Sequence, residues 1–173
     1  SGVTDVFQAE CGPTNPLAAS CPTEQEWSQT WSVSKTRFNR MSKRIAIVQS
    51  SYLPWKGYFD LIRSVDEFVL YDDMQFTRRD WRSRNRIKTA NGLHWLSVPV
   101  DVKGKYDQKI REAQSVDLEW ASKHWHTLRH AYGKAPFFKL YQPQVEAAFA
   151  DVAREKMLSS INFRLISLVC SLL

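Results

Sequence analysis

The chain has 173 residues, of which 43% are hydrophobic and 24% charged; this balance indicates one folded domain and excludes an intrinsically disordered chain. No apolar run approaches the roughly 18 residues that span a bilayer, and no secretory signal opens the chain. We therefore expect a cytoplasmic protein without a membrane span. The three cysteines, Cys11, Cys21 and Cys170, form neither a disulfide framework nor a CxxC metal pattern. The net charge of +6 predicts an anionic partner.

Residues 1–40 differ in composition from the rest of the chain. Glycine, proline and small polar residues break any periodicity there, so we expect a disordered leader or extension. The alternative is an ordered arm that docks through Trp27 and Trp31, which have helical i,i+4 spacing. Because residues 1–40 carry three cations against four carboxylates, residues 41–173 hold a net charge of +7. We expect residues 41–173 to form a single α/β domain.

A strand, a helix and a second strand are predicted at the start of this domain. The apolar run Ile45–Val48 is typical of a strand covered on both faces. A helix with an apolar stripe is predicted from Pro54 to Val65, with Ser51 as a possible cap, and residues 68–71 read as a second buried strand. This βαβ pattern predicts a Rossmann-like core with a parallel sheet.

A hairpin and C-terminal helices are predicted to complete the domain. The turn signal Asn91-Gly92 lies between the basic segment 77–88 and a strand over 93–100, which predicts an added β-hairpin. Helices are predicted over 118–131, from 143 onward, and from 159 or 160 to the end of the chain. The last helix lacks a glycine or cationic end, from which we expect a domain truncated at its C-terminus.

The loop after the first strand is the first candidate binding site. Ligands of open α/β sheets bind outside the carboxyl ends of the strands, where Gln49 would lie. Tyr52 offers a flat ring that can stack on a base or sugar, and its alternative role is packing in the core. Neither GxGxxG nor GxxxxGK[ST] is present, so ordinary dinucleotide and P-loop sites are excluded, and no cofactor is identified.

Two candidates for proton transfer follow along the chain. Asp72 and Asp73 close the second strand, where alternation lets only one of them face a cleft. We expect Asp73 to be the functional carboxylate and Asp72 to be a turn residue. His124 is the second candidate, since histidine exchanges protons near neutral pH. The nearby segment HTLRH lacks the glutamate of HExxH, so we expect no metal site.

The basic segment 77–88 is the third candidate site. If it is extended, Arg82, Arg84, Arg86 and Lys88 share one face, and residues such as Trp81 and Asn85 share the other. Adjacent like charges repel, so the pattern favours a site for an anionic small molecule of the phosphate or nucleotide-sugar type. The alternatives are a solvated edge strand and a nucleic-acid surface, of which we consider nucleic acid the weaker partner.

The WbqC-like protein family has motifs that resemble three segments of this chain, IAIVQSSYLPWKGYFDLIRSVDEFVLYDD, WRSRNRIK and GLHWLSVPV. The resemblance covers residues 43–173. One departure is Ser83, where the family often has asparagine, and family members continue beyond Leu173. The matching motif residues are Gln49, Tyr52, Pro54, Trp55, Gly57, Tyr58, Phe59, Asp72, Asp73, Trp81, Arg84, Asn85, Ile87, Pro99 and His124.

The resemblance implies a role in making bacterial surface polysaccharide, because family members occur in gene clusters for O-antigen and other surface sugars. The implied reaction transfers an aminoacyl group, such as glycyl, onto a nucleotide-linked sugar. In this hypothesis Gln49 and Tyr52 orient the substrate, Arg84 and Arg86 hold phosphate, and Asp73 or His124 moves the proton. Trp81 and Asn85 complete the predicted binding residues. The alternative hypothesis is a binding module without catalysis, which uses segment 78–88 to bind a nucleotide or nucleic acid.

Overall fold

The computed structural model describes residues 6–7 and 42–173. Most of the predicted leader, including the arm with Trp27 and Trp31, lies outside the described residues. The strands are β1 (Val6–Phe7), β2 (Ile45–Val48), β3 (Glu67–Leu70), β4 (Arg84–Thr89) and β5 (Gly92–Ser97). The α-helices are α1 (Lys56–Ser64), α2 (Trp120–Tyr132), α3 (Phe138–Val152) and α4 (Leu158–Leu172), and a short 3-10 helix covers Ile110–Glu112. The fold is mixed α/β, as the sequence predicted.

The first sheet has the order β1-β3-β2 in the described part of the chain. Strands β2 and β3 are parallel, with Ile45 opposite Glu67 and Val48 opposite Leu70, which confirms the predicted parallel pair. Strand β1 pairs with β3 in the antiparallel direction. One parallel pair with an antiparallel neighbour does not establish the Rossmann-like core that the βαβ pattern predicted.

Strand β2 is covered on one face. Ala46 and Val48 point towards α1 and α4 and join the apolar cluster of the sheet. Ile45 and Ile47 lie on the other face and are 53% and 64% exposed. The prediction of cover on both faces is therefore wrong for this strand. An apolar run does not distinguish its two faces, and alternation assigns only one of them to the helices.

Helices α1 and α3 do not begin at the residues predicted to start them. Helix α1 begins at Lys56, after an extended Trp55, and no side chain caps it, so Ser51 is not the cap. The reason is local, because Leu53 has φ of 45° and turns the loop before the helix starts. Helix α3 begins at Phe138, so the predicted starter Pro143 lies inside it.

The antiparallel hairpin β4–β5 is confirmed, with Arg86 opposite Trp95 and Thr89 opposite Gly92. Gly92 follows the turn with φ of +105°, a conformation that L side chains rarely adopt. The inner face of the hairpin is apolar: Ile87 and Leu96 pack in the main core with residues of α2, α3 and α4. The hairpin therefore presents its other face outward.

Candidate functional site

The two regions that the sequence singled out for binding lie side by side. The loop after β2 is fastened to the start of the hairpin by three hydrogen bonds. They join Tyr52 N to Trp81 O (3.0 Å), Arg82 NH1 to Ser50 O (3.1 Å) and Asn85 Nδ2 to Leu53 O. The carboxyl end of β2 is thereby held against the basic segment, as a site shared by the two regions would require.

Four side chains form a compact cluster on the solvent side of the hairpin, which we call the outer hairpin face: Trp81, Arg84, Arg86 and Trp95. Trp81 and Trp95 are 44% and 41% exposed, and their ring centroids lie 5.6 Å apart at an interplanar angle of 35°. The Arg84 guanidinium lies 4.2 Å from the centroid of Trp95. That of Arg86 lies 5.2 Å from Trp95 and 5.9 Å from Trp81.

The cations of the outer hairpin face are held by aromatic rings. Among residues 42–173, no carboxylate lies within ion-pair distance of Arg84 or Arg86. Stacking on an indole restricts a guanidinium while leaving its N–H donors directed outward. Two such cations beside two exposed rings can bind the oxygens of a phosphate or carboxylate and stack a planar or sugar group.

Arg82 does not share this face, which corrects the predicted row of four cations, and Trp81, predicted on the opposite face from the arginines, lies on this face beside Arg86. Strand β4 begins at Arg84, so the alternation of the strand does not extend back to Arg82. Arg79, with φ of 58°, belongs to the turn that precedes the strand. The Arg82 side chain points inward, and its NH1 donates to the carbonyl of Ser50.

Asn85 is predicted to bind substrate, and its amide is used within the protein. Its Nδ2 donates to Leu53 O, and its Oδ1 accepts a hydrogen bond from the backbone of Arg86 at 2.7 Å. Asn85 lies opposite the buried Leu96 and faces away from the outer hairpin face. Its partners indicate that it positions the loop and the hairpin relative to each other.

Tyr52 and His124 form a buried pair. The hydroxyl of Tyr52 lies 2.7 Å from Nδ1 of His124, and both residues contact the ring of Trp120. Tyr52 has no exposed surface, so its ring is a core residue and cannot stack directly on a ligand. Burial raises the pKa of the tyrosine well above its usual value. The same cause lowers the pKa of His124 to about 4, so its imidazole is neutral at pH 7.

Asp73 and Gln49 lie at the carboxyl ends of β3 and β2. Asp73 accepts a charged hydrogen bond from Lys109 Nζ at 3.0 Å and forms an ion pair with Arg111, whose NH2 lies 3.1 Å away. The hydrogen bond from Lys109 above all, together with the charge of Arg111, lowers the pKa of the carboxyl, which weakens Asp73 as a base. Gln49 is half-buried, and its backbone carbonyl accepts a hydrogen bond from the Tyr58 hydroxyl at 3.1 Å.

The sequence prediction missed Trp95 as a member of the site. It lies on β5 directly opposite Arg86, and the register set by the Asn91-Gly92 turn would have placed it there. It also missed Asn162 of α4, whose Nδ2 donates to Ser50 Oγ and to Arg82 O, both at 3.0 Å. Because 112 residues separate Asn162 from Ser50, no local pattern could have joined them.

Within the described residues, no group of three or more histidine, cysteine or carboxylate side chains is placed to hold a metal ion. Over the same residues, no helix is both long and apolar enough to cross a membrane.

The chain is 50% identical over 131 residues to the uncharacterized protein Rv1507c of Mycobacterium tuberculosis, a match that covers 76% of this chain and 56% of that protein. The chain thus spans little more than half the length of this relative. No solved structure matches it significantly. The sequence profile of the WbqC-like protein family matches residues 49–173, a range that includes both the loop after β2 and the outer hairpin face. The chain belongs to the WbqC-like protein family.

Proposed function

We propose that the outer hairpin face binds the phosphate-bearing part of a nucleotide-linked sugar. The whole protein then transfers an aminoacyl or related group, such as glycyl, onto that sugar during synthesis of a bacterial surface polysaccharide such as O-antigen. The observation that carries the binding step is the cluster of Trp81 and Trp95 with two guanidinium groups that no described carboxylate neutralises. The transfer step and its setting rest on membership of the WbqC-like family.

The chemistry of the cluster fits the two halves of such a ligand. Arg84 and Arg86 supply forked N–H donors that match two phosphate oxygens at once. The indoles supply flat apolar surfaces for a base or a sugar ring. Both arginines lie on a paired strand and are stacked on Trp95, so less side-chain entropy is lost on binding than from a free side chain.

Positioning is the role that the contacts of Asp73 and His124 favour. His124 is neutral at pH 7, and its Nδ1 is occupied by the Tyr52 hydroxyl. Through Tyr52 it fixes the loop after β2 against the hairpin. Asp73 holds Lys109 and Arg111 at the carboxyl end of β3, where two cations add to the local positive potential. Both residues then act on a ligand through the groups that they hold in place.

A nucleic-acid surface is the competing function, and the arrangement of the arginines argues against it. A protein that follows a phosphate backbone spreads its cations along an open face. Here Arg84 and Arg86 both converge on Trp95, whereas Arg82 turns inward to Ser50. This convergence suits one small anionic ligand better than a polymer.

Titration of the protein with UDP-glucose, UDP and glucose tests the proposal, with tryptophan emission as the readout. We expect UDP-glucose and UDP to change the emission and glucose alone to leave it unchanged. Arg84→Gln should weaken binding by about tenfold or more, the usual effect of losing a charged hydrogen bond. Trp95→Leu should weaken binding and remove part of the signal, so its affinity is read by calorimetry.

The matched control is Trp55→Leu. Trp55 is 74% exposed, lies against Gly57 at the start of α1, and is not among the ring and cation contacts of the outer hairpin face. This substitution should leave the affinity for UDP-glucose unchanged. Equal losses in Trp55→Leu and Trp95→Leu, or full affinity in both Arg84→Gln and Trp95→Leu, would contradict the proposed site.

A further inference from the structure

Arg82 belongs to the basic segment, and its side chain is mostly buried, with 15% of it exposed. Its NH1 donates to Ser50 O at 3.1 Å, and its Nε has no hydrogen-bond partner although it is out of contact with solvent. The nearest carboxylate oxygen in an ion pair with it, Oδ2 of Asp80, lies 3.7 Å from Nε. That distance allows electrostatic attraction and is too long for a hydrogen bond.

Asp80 is held at this distance by its other oxygen. Its Oδ1 accepts a hydrogen bond from the backbone N–H of Trp81 at 2.7 Å. The carboxylate therefore stays beside the guanidinium without satisfying Nε. About a third of the Asp80 side chain is exposed, so the carboxylate beside Arg82 borders solvent.

Asn162 gives a second, independent sign that the cluster around Arg82 is incomplete. It is fully buried; its Nδ2 donates to Ser50 Oγ and Arg82 O, and its Oδ1 has no partner. The cluster thus keeps an unused donor and an unused acceptor where most native networks satisfy both. It lies at the carboxyl ends of β2 and β3, since the Ser50 N–H donates to Asp72 Oδ1 at 2.8 Å. Ligands of open α/β sheets bind at this edge.

We propose that Arg82 is an oxyanion-binding residue, which takes a carboxylate or phosphate group of a ligand at Nε, and that Asp80 competes with that group in the free protein. The site is separate in its residues from the outer hairpin face and goes beyond the proposed function. An incoming oxyanion supplies the hydrogen bond that Asp80 is too distant to make. Asp80 therefore sets the affinity by repelling the second negative charge.

The test compares two aspartate substitutions in the whole chain, with inorganic phosphate and acetate as probes and calorimetry as readout. Asp80→Asn keeps Oδ1 for the Trp81 N–H and removes the competing charge. Asp60→Asn makes the same change of net charge at an exposed position of α1. We expect Asp80→Asn to tighten binding of at least one probe by about tenfold, the scale of one partly screened charge contact. Asp60→Asn should leave binding unchanged.

A second pair of variants removes the cation itself. Arg82→Gln should abolish the binding gained in Asp80→Asn when the two are combined, and Arg63→Gln, on the exposed end of α1, should not. Equal effects of Asp80→Asn and Asp60→Asn, or a gain from Asp80→Asn that persists when Arg82→Gln is added, would overturn the proposal. If Arg82→Gln does not fold, the comparison of Asp80→Asn with Asp60→Asn tests the proposal by itself. Preference for phosphate or acetate shows whether the ligand group at Arg82 is a phosphate or a carboxylate. The affinity of Trp95→Leu for UDP-glucose tests the outer hairpin face independently of Arg82.

Discussion

At the scale of a single residue, the imidazole of His124 connects three parts of the chain. It is carried by α2, lies 2.7 Å from the Tyr52 hydroxyl of the first loop, and interacts with the backbone of Ser97 at the end of β5. Burial is the main cause of its lowered pKa, the charge of His94 adds to it, and the Ser97 backbone opposes it. The sequence marked His124 as a proton-transfer group because histidine titrates near neutrality, and a pattern cannot show that the ring will be buried.

This pKa makes stability depend on pH. Because His124 titrates at about 4 in the fold and near 6.5 when unfolded, protonation favours the unfolded chain. Its contribution is complete above pH 6.5 and is lost as the pH falls towards 4, on the order of 3 kcal/mol. Urea unfolding at pH 7 and pH 4 should show a smaller loss of stability in His124→Gln than in the unmodified protein. His126→Gln, at an exposed position, should lose as much stability between pH 7 and pH 4 as the unmodified protein does. If His126→Gln reduces this loss and His124→Gln does not, His124 is not the source of the pH dependence.

At the scale of elements, the hairpin shows what sequence periodicity can and cannot predict. The turn and the shared face of Arg84 and Arg86 were predicted, because two residues per repeat and an Asn-Gly signal are local properties. The face on which Arg82 lies was predicted wrongly, because the start of β4 depends on the preceding turn and on the loop that packs beside it. The hydrogen bond from Asn85 to Leu53 is one of those that fasten the loop.

Replacement of Asn85 measures how much its hydrogen bonds to the loop and to the hairpin backbone stabilise the fold. Asn85→Ala removes the donor to Leu53 O and the acceptor for the Arg86 N–H, and we expect a loss of about 1–3 kcal/mol in the free energy of unfolding. Asn85→Asp keeps the acceptor and loses the donor, so it separates the two bonds. Thermal or urea unfolding provides the measurement. A loss below experimental error in both variants would show that Asn85 does not hold the loop.

At the scale of the whole molecule, α4 connects two apolar clusters. Leu158, Ile161 and Leu165 belong to the main core under the hairpin. Ile166 and Phe163 belong to the cluster between the sheet and α1. The apolar stripe of this helix was visible in the sequence. The sequence did not show that residues of this helix belong to two different clusters. Adjacent positions such as 165 and 166 point about 100° apart, and the tertiary fold decides what each of them contacts.

If α4 couples the two clusters, a cavity in one of them should destabilise both. We expect Leu165→Ala to lower the free energy of unfolding by about 2–5 kcal/mol, since the side chain is almost fully buried. The change of tryptophan emission on unfolding reports mainly the cluster under the hairpin, because Trp120 and Trp125 are buried there whereas Trp55, Trp81 and Trp95 are already exposed in the fold. Far-ultraviolet circular dichroism reports all the helices. The two urea transitions should stay coincident and move together. Leu140→Ala, at a largely exposed position of α3, should move neither. Separation of the two transitions in Leu165→Ala would show that the sheet with α1 holds its structure independently of the main core.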